Sequence, residues 1–278
     1  MANRTFYEVL TDAVDDFITN GFDSQERLDR WLALLAEASR RSLVPPSLLQ
    51  QALRSQLTRI FTRETSLTKL VKRHRGVSTF TLRNVKPKLR AALDRRILAS
   101  ANLIKLNRKA SIARTLQRFA GWASSVPKGG TEIQARKSVK DTVRRSIAAL
   151  PFEERRVIID QGHKLVAAVN DIIATDGGAI ALIWHHVKEG PPMYDARPDH
   201  VARDGKVYLI RDSWAHKKGL VKPDRAGYSD EITQPGEEVF CRCHAEYLYA
   251  LRDLPADMLT VKGQAALAEA RRVIRGTG

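Results

Sequence analysis

The sequence predicts a mostly helical α+β protein: a helical N-terminal region followed by a small, mixed α/β, loop-rich C-terminal module. Three observations lead there. Apolar residues recur at spacings of three and four up to about residue 173, the period of helices with one buried face. From Ala179 onward, short β-like runs alternate with prolines and glycines. Both cysteines and five of the seven histidines then fall between residues 185 and 244.

The elements follow in order. Asp23-Ser-Gln-Glu26 has capping-box spacing, and Leu28, Trp31, Leu32 and Leu35 continue it at helical period. Val44-Pro-Pro-Ser47 interrupts the chain. Ser47 is then placed to cap a helix with Leu48, Leu49, Ala52, Leu53, Leu57 and Ile60 on one face. His74-Arg-Gly76 reads as a turn and Thr79-Phe-Thr-Leu-Arg83 as a short β segment. After Pro87 a long helix is expected, carried by Leu89, Leu93, Ile97, Ala101 and Ile104 and closed by Gly121 and Pro127. Gly129-Gly130 is the candidate linker. One helix is expected from about Glu132 to Leu150. Another runs from Pro151 to Ile173, with Glu153 and Glu154 in its first turn, where carboxylates suit the helix dipole. Thr175-Asp-Gly-Gly178 is a turn. Ala179–Trp184 and Lys206–Ile210 have strand character, and Ala265–Ile274 returns to helix. The expected division is a basic helical region, 1–128, a module, 131–255, and a C-terminal helical segment, 256–278.

A hydrophobic content of 43% supports a real core. No apolar run is long enough to span a bilayer, and the first residues lack the apolar stretch of a signal peptide, so a soluble protein made in a reducing cytoplasm is expected. Two cysteines make no disulfide framework. The net charge of +16 is uneven: residues 31–150 carry 26 Lys/Arg against 5 Asp/Glu. Such a block points to a polyanion partner. Few aromatic side chains lie there, Phe61, Phe80, Phe119 and Trp122 among them, so the expected contact is with phosphates of double-stranded DNA, without base reading. The residues expected to make it are Lys72, Arg73, Arg75, Arg95, Arg96, Lys105, Arg108 and Lys109.

The cysteines occupy Phe240-Cys-Arg-Cys-His244. Thiolate and neutral imidazole are the ligands zinc prefers, and four of them close a tetrahedral structural site. The expected set is His200, Cys241, Cys243 and a further histidine, His244, holding a structural Zn²⁺. A loop-rich module of this size buries little core and gains from such a staple. A Cys241–Cys243 disulfide would close a small strained ring. Asp204-Gly205 reads as a hairpin turn, which would also bring His200 and Asp204 together. Such a pair is what a general base looks like, and equally what ties loops together.

Ile183-Trp184, Asp195-Ala-Arg197-Pro-Asp-His200, Arg203-Asp204-Gly205-Lys-Val-Tyr208, Pro235-Gly236 and Cys241-Arg-Cys243 occur in that order. Over about residues 150–250 this resembles the Mu F-like minor head proteins of tailed bacteriophages, the phage head morphogenesis family. The resemblance makes Trp184, Arg197, His200, Asp204, Gly205 and Arg242 the motif residues, and 131–255 a Mu F-like module. It implies a virion protein inside the capsid, without enzymatic activity or a membrane. Its partners would be the portal protein, the major capsid protein and packaged DNA, in a heteromeric assembly acting in head assembly, packaging or ejection. The Lys- and Asp-rich stretch between Tyr208 and Pro235 departs from the family's plainer, proline-bearing loop. The alternative function is a metal- or histidine-dependent nuclease centred on His200, which lacks the closely spaced carboxylates of a two-metal site.

Overall fold

The structure, a computed structural model, describes residues 4–128, 133–187 and 197–276. Gly129-Gly130, the start of the helix expected at Glu132, and Asp195 of the motif lie outside them. The fold is mostly helical α+β. In chain order its elements are α1 (Phe6–Asn20), α2 (Gln25–Arg41), α3 (Pro46–Glu64), α4 (Leu67–Arg73), α5 (Thr79–Asn84), α6 (Lys86–Ala123), α7 (Ile133–Ala148) and α8 (Leu150–Asp176). There follow β1 (Ala181–His185), α9 (Pro198–Ala202), β2 (Val207–Leu209), α10 (Trp214–Lys217), β3 (His244–Leu248) and α11 (Val261–Gly276). No described helix is long and apolar enough to cross a membrane.

The chain forms two compact units, 1–54 with 97–158 and 55–96 with 159–278. This differs from the expected division at residues 128–131. Helical period shows which face is buried but not which distant helix buries it.

In the first unit, Thr5 caps α1 in a reciprocal box with Glu8, and Ser24 rather than Asp23 caps α2. Every third or fourth residue of α1 enters the core: Phe6, Val9, Leu10, Ala13, Val14, Phe17 and Ile18. Leu28 and Leu35 of α2, Phe119 and Ala123 of α6 and Val143 of α7 complete it. Phe17 and Phe119 meet edge to face at 5.7 Å. The Trp31 indole donates to Asp16 at 2.6 Å.

In the second unit, β1 is the centre of a three-stranded antiparallel sheet of order β2-β1-β3, with Ala181 opposite both Leu209 and Leu248. Side chains alternate across it. One face carries Ala181, Leu209 and Leu248 into a core with Ala215, Leu220, Leu251 and Met258. The other carries Leu182, Trp184, Tyr208 and Tyr247 into a core with Cys241 and Cys243. His74, at the end of α4, is buried. Its Nδ1 lies 2.7 Å from Tyr249 Oη and its Nε2 3.2 Å from Asn170 Oδ1. Burial holds this imidazole below its usual range. Glu64 is also buried, among Lys69, Arg63 and Arg73 at 2.7–2.9 Å. Burial opposes its ionisation, but the hydrogen bonds from Lys69 and Arg63 and the Arg73 charge outweigh that and hold the carboxyl below its usual range.

Thr79–Arg83 is helix, not strand. Ser78 caps α5 by accepting from Thr81 N–H at 3.1 Å, a local bond that decides a stretch too short for periodicity to decide. Asp204-Gly205 is not a hairpin tip. It is the turn from α9 into β2, with Gly205 in the left-handed region at φ 74°.

Candidate metal centre

Several elements of the second unit place the motif residues. Trp184 comes from β1 and His200 from α9, where Pro198 opens the helix. Cys241 and Cys243 come from the loop leading into β3. Phe240, just before Cys241, is a non-glycine residue at φ 58°. This sparsely populated conformation is held by its N–H, which donates to Asp160 Oδ1 at 2.6 Å, and Asp160 is itself paired with Lys164 at 3.1 Å. Backbone strain kept in place by a buried ion pair marks a loop whose geometry is over-determined.

His200, Cys241 and Cys243 are all buried, with ligand atoms within 4.8 Å of one another. His200 Nδ1 lies 3.5 Å from Cys241 Sγ and 3.7 Å from Cys243 Sγ. The His200 ring meets Trp184 edge-on at 5.1 Å. Its far nitrogen, Nε2, faces Glu238 Oε1 at 3.3 Å. The cluster thus presents two sulfurs and one nitrogen to a common point and can hold a metal ion.

The electrostatics suit a cation. A hydrogen bond from the Cys243 thiol pulls Cys241 down to about 5, and the backbone at Cys243 and Gly236 helps. Cys243, sharing that proton and buried beside a thiolate, is pushed up. A divalent ion bound by both sulfurs would displace the proton they share.

The remaining expected residues divide. Arg197 holds Glu238 at 3.2 Å and donates to the Val239 carbonyl at 2.9 Å, tying α9 to the cysteine loop. Asp204 does not meet His200. Its Oδ1 accepts the His186 backbone N–H at 2.9 Å, so it anchors the end of β1. Gly205 donates its N–H to the Trp184 carbonyl at 2.8 Å. Arg242 is exposed, consistent with an extended segment whose cysteines face inward. His244, the expected fourth ligand, lies on the opposite face from Cys243. It sits across from His185 in the sheet and stacks on it at 5.1 Å. His186 approaches the cluster instead, with Nδ1 3.6 Å from Cys243 Sγ. Sequence reasoning settled on His244 rather than His186 and missed Glu238. Period-two alternation would have decided between the histidines: if Trp184 faces inward, so does His186, and if Cys243 does, His244 does not.

Of the residues expected on DNA, Lys72, Arg75 and Arg95 are exposed in the second unit, and Lys105 and Lys109 in the first. Arg73 is engaged with Glu64, and Arg96 is half-buried. Arg108 is buried, grips Glu154 through two nitrogens at 2.6 and 3.2 Å and donates to the Val44 carbonyl at 2.6 Å. It is a core ion pair rather than a phosphate contact, because its face of α6 is turned inward. Residues 55–96, all in the second unit, hold 12 Lys/Arg against 2 Asp/Glu.

No family model, no curated protein and no solved structure matches this chain.

Proposed function

We propose that this chain is a structural protein of the Mu F-like minor head kind. Its second unit is stapled by zinc, and its basic helices touch double-stranded DNA without reading sequence. One observation supports this above the rest: Trp184, His200, Cys241 and Cys243, spread over 60 residues of sequence, meet in a single buried contact set, with Arg197, Asp204 and Gly205 bonding the same segments together. A motif so used is a structural unit. Zinc fits the donor set: about 2.3 Å to sulfur and about 2.0–2.1 Å to nitrogen put tetrahedral S and N ligands about 3.6 Å apart. The separations at His200 are 3.5 and 3.7 Å. On this reading the protein works inside the capsid, with the portal or major capsid protein as partners.

The nuclease reading is weaker. His200 is buried, with sulfur on one side and Glu238 on the other, which leaves no ring nitrogen open to a substrate.

The test is binding to two unrelated DNA duplexes across a salt series. Equal affinity for both is expected, with log K falling linearly in log salt. Lys72→Glu/Arg75→Glu/Arg95→Glu should flatten the slope by about 3. Salt-independent affinity would sink the DNA reading. Plasmid cleavage in divalent metal, abolished by His200→Ala, would replace the structural reading with the enzymatic one.

A further inference from the structure

We infer that the fourth metal ligand is His186, which makes the centre a closed Cys2His2 site, with Glu238 as the group that orients His200. This rests on the metal reading above and specifies how the site is completed.

Strand alternation makes the choice between histidines. In β1, Trp184 points to the face that holds both cysteines, and the same face receives His186, two residues further on. His185 and His244, an antiparallel pair, share the other face, where His185 also meets Glu246 at 3.1 Å. For His244 to reach the sulfurs, β3 would have to slip by one residue, which would expel Tyr247 from the core. His186 needs no slip. Its backbone is already fixed by the hydrogen bond to Asp204, and its Nδ1 is one tetrahedral edge from Cys243. In the structure His186 reaches Cys243 but stands outside the group formed by His200, Cys241 and Cys243, so closing the site requires this half-buried side chain to turn toward the other two.

Glu238 supplies the outer shell. Ligating imidazoles usually give their other ring nitrogen to a carboxylate, which fixes the tautomer and raises ligand basicity. His200 turns Nδ1 to the sulfurs and Nε2 to Glu238, and Arg197 holds that carboxylate. The ligands then come from three segments: the end of β1, α9, and the loop before β3. One ion would tie the end of β1 and the start of β3 to α9, in a sheet whose strands are only 3–5 residues long. A site with four protein ligands is structural, since a catalytic one keeps a position for water.

Cobalt titration of the metal-free full chain tests this, because Co²⁺ takes the same ligands and reports coordination by colour. The wild-type chain should give the intense visible bands of a tetrahedral ion and thiolate-to-cobalt charge transfer for two sulfurs. His186→Ala should weaken affinity at least tenfold and change the visible bands, while His244→Ala should leave both as they were. Glu238→Gln should keep the spectrum and lose affinity by about 10–100-fold. His186→Cys guards against misfolding: it should bind, with charge transfer raised by roughly half as three thiolates replace two. Cobalt bound identically by wild type and His186→Ala, or lost in His244→Ala, overturns the inference and leaves the metal reading standing. No cobalt bound by the wild-type chain overturns both.

Discussion

The two units bury different things. The first closes over hydrocarbon: Phe17, Phe119 and Leu35 are fully enclosed, and Arg108 is its only buried ionisable side chain among the described residues. The second encloses Glu64, His74, Asp160, Lys164, His200 and two cysteines. A unit of apolar helices is stabilised by area and packing, terms that barely notice protons or metals. A unit with a three-stranded sheet and this many buried polar groups depends on each finding its partner, because an unpaired one costs more than its bond returns. The first unit should therefore fail through cavities, and the second through protonation and loss of metal.

The sharpest break in that contrast is Cys241→Ser/Cys243→Ser. Zinc should fall from one equivalent to none by mass spectrometry, and unfolding free energy in denaturant should drop by more than about 4 kcal/mol. An unchanged midpoint would make the cysteines ordinary buried side chains. Phe119→Ala, in the first unit, should cost about 3–5 kcal/mol through the cavity it leaves while zinc content stays at one equivalent. Loss of zinc in that variant would mean the two responses are not separable.

Smaller effects sharpen the comparison by pH. Glu64→Gln should cost about 1–2 kcal/mol at neutral pH, since three cations lose their shared carboxylate. The folded carboxyl titrates below its ordinary 4.5, so its contribution is present above that value and disappears as pH falls through the lowered range. The variant and wild type should converge there in acid unfolding curves. His74 should give the smallest signal. Its folded imidazole resists protonation while the unfolded one titrates near 6.5, so stability falls as pH drops through 6.5. His74→Gln should remove that part of the slope, seen as the difference between the two proteins' melting temperatures from pH 7.5 to 5.5. Identical slopes would mean that His74 is not the group responsible.

Much of the fold was legible because its signals are local. The apolar stripe of α2, the break at Pro45-Pro46 and the strands around Ile183 and Tyr208 all follow from neighbours within a few residues. The metal candidates were legible by residue type, and three of the four expected ligands do converge. The fourth was not, because nearness in sequence favoured His244 while strand pleat favoured His186. Glu238 was invisible for a different reason: a lone carboxylate in a loop has no period, and only the placement of α9 gives it a histidine. The basic residues were legible as charge but not as surface, since Arg108 and Lys109 are neighbours in sequence yet one is enclosed with Glu154 and the other is exposed.

The sequence by itself determined the mostly helical α+β class, the cationic excess and the inventory of soft ligands, because these follow from composition, periodicity and residue chemistry. Tertiary structure decided which cations are engaged, which histidine faces the sulfurs and how the chain divides into units. Those outcomes depend on contacts between residues tens of positions apart, and a one-residue change of face, worth nothing in composition, exchanges one candidate ligand for another.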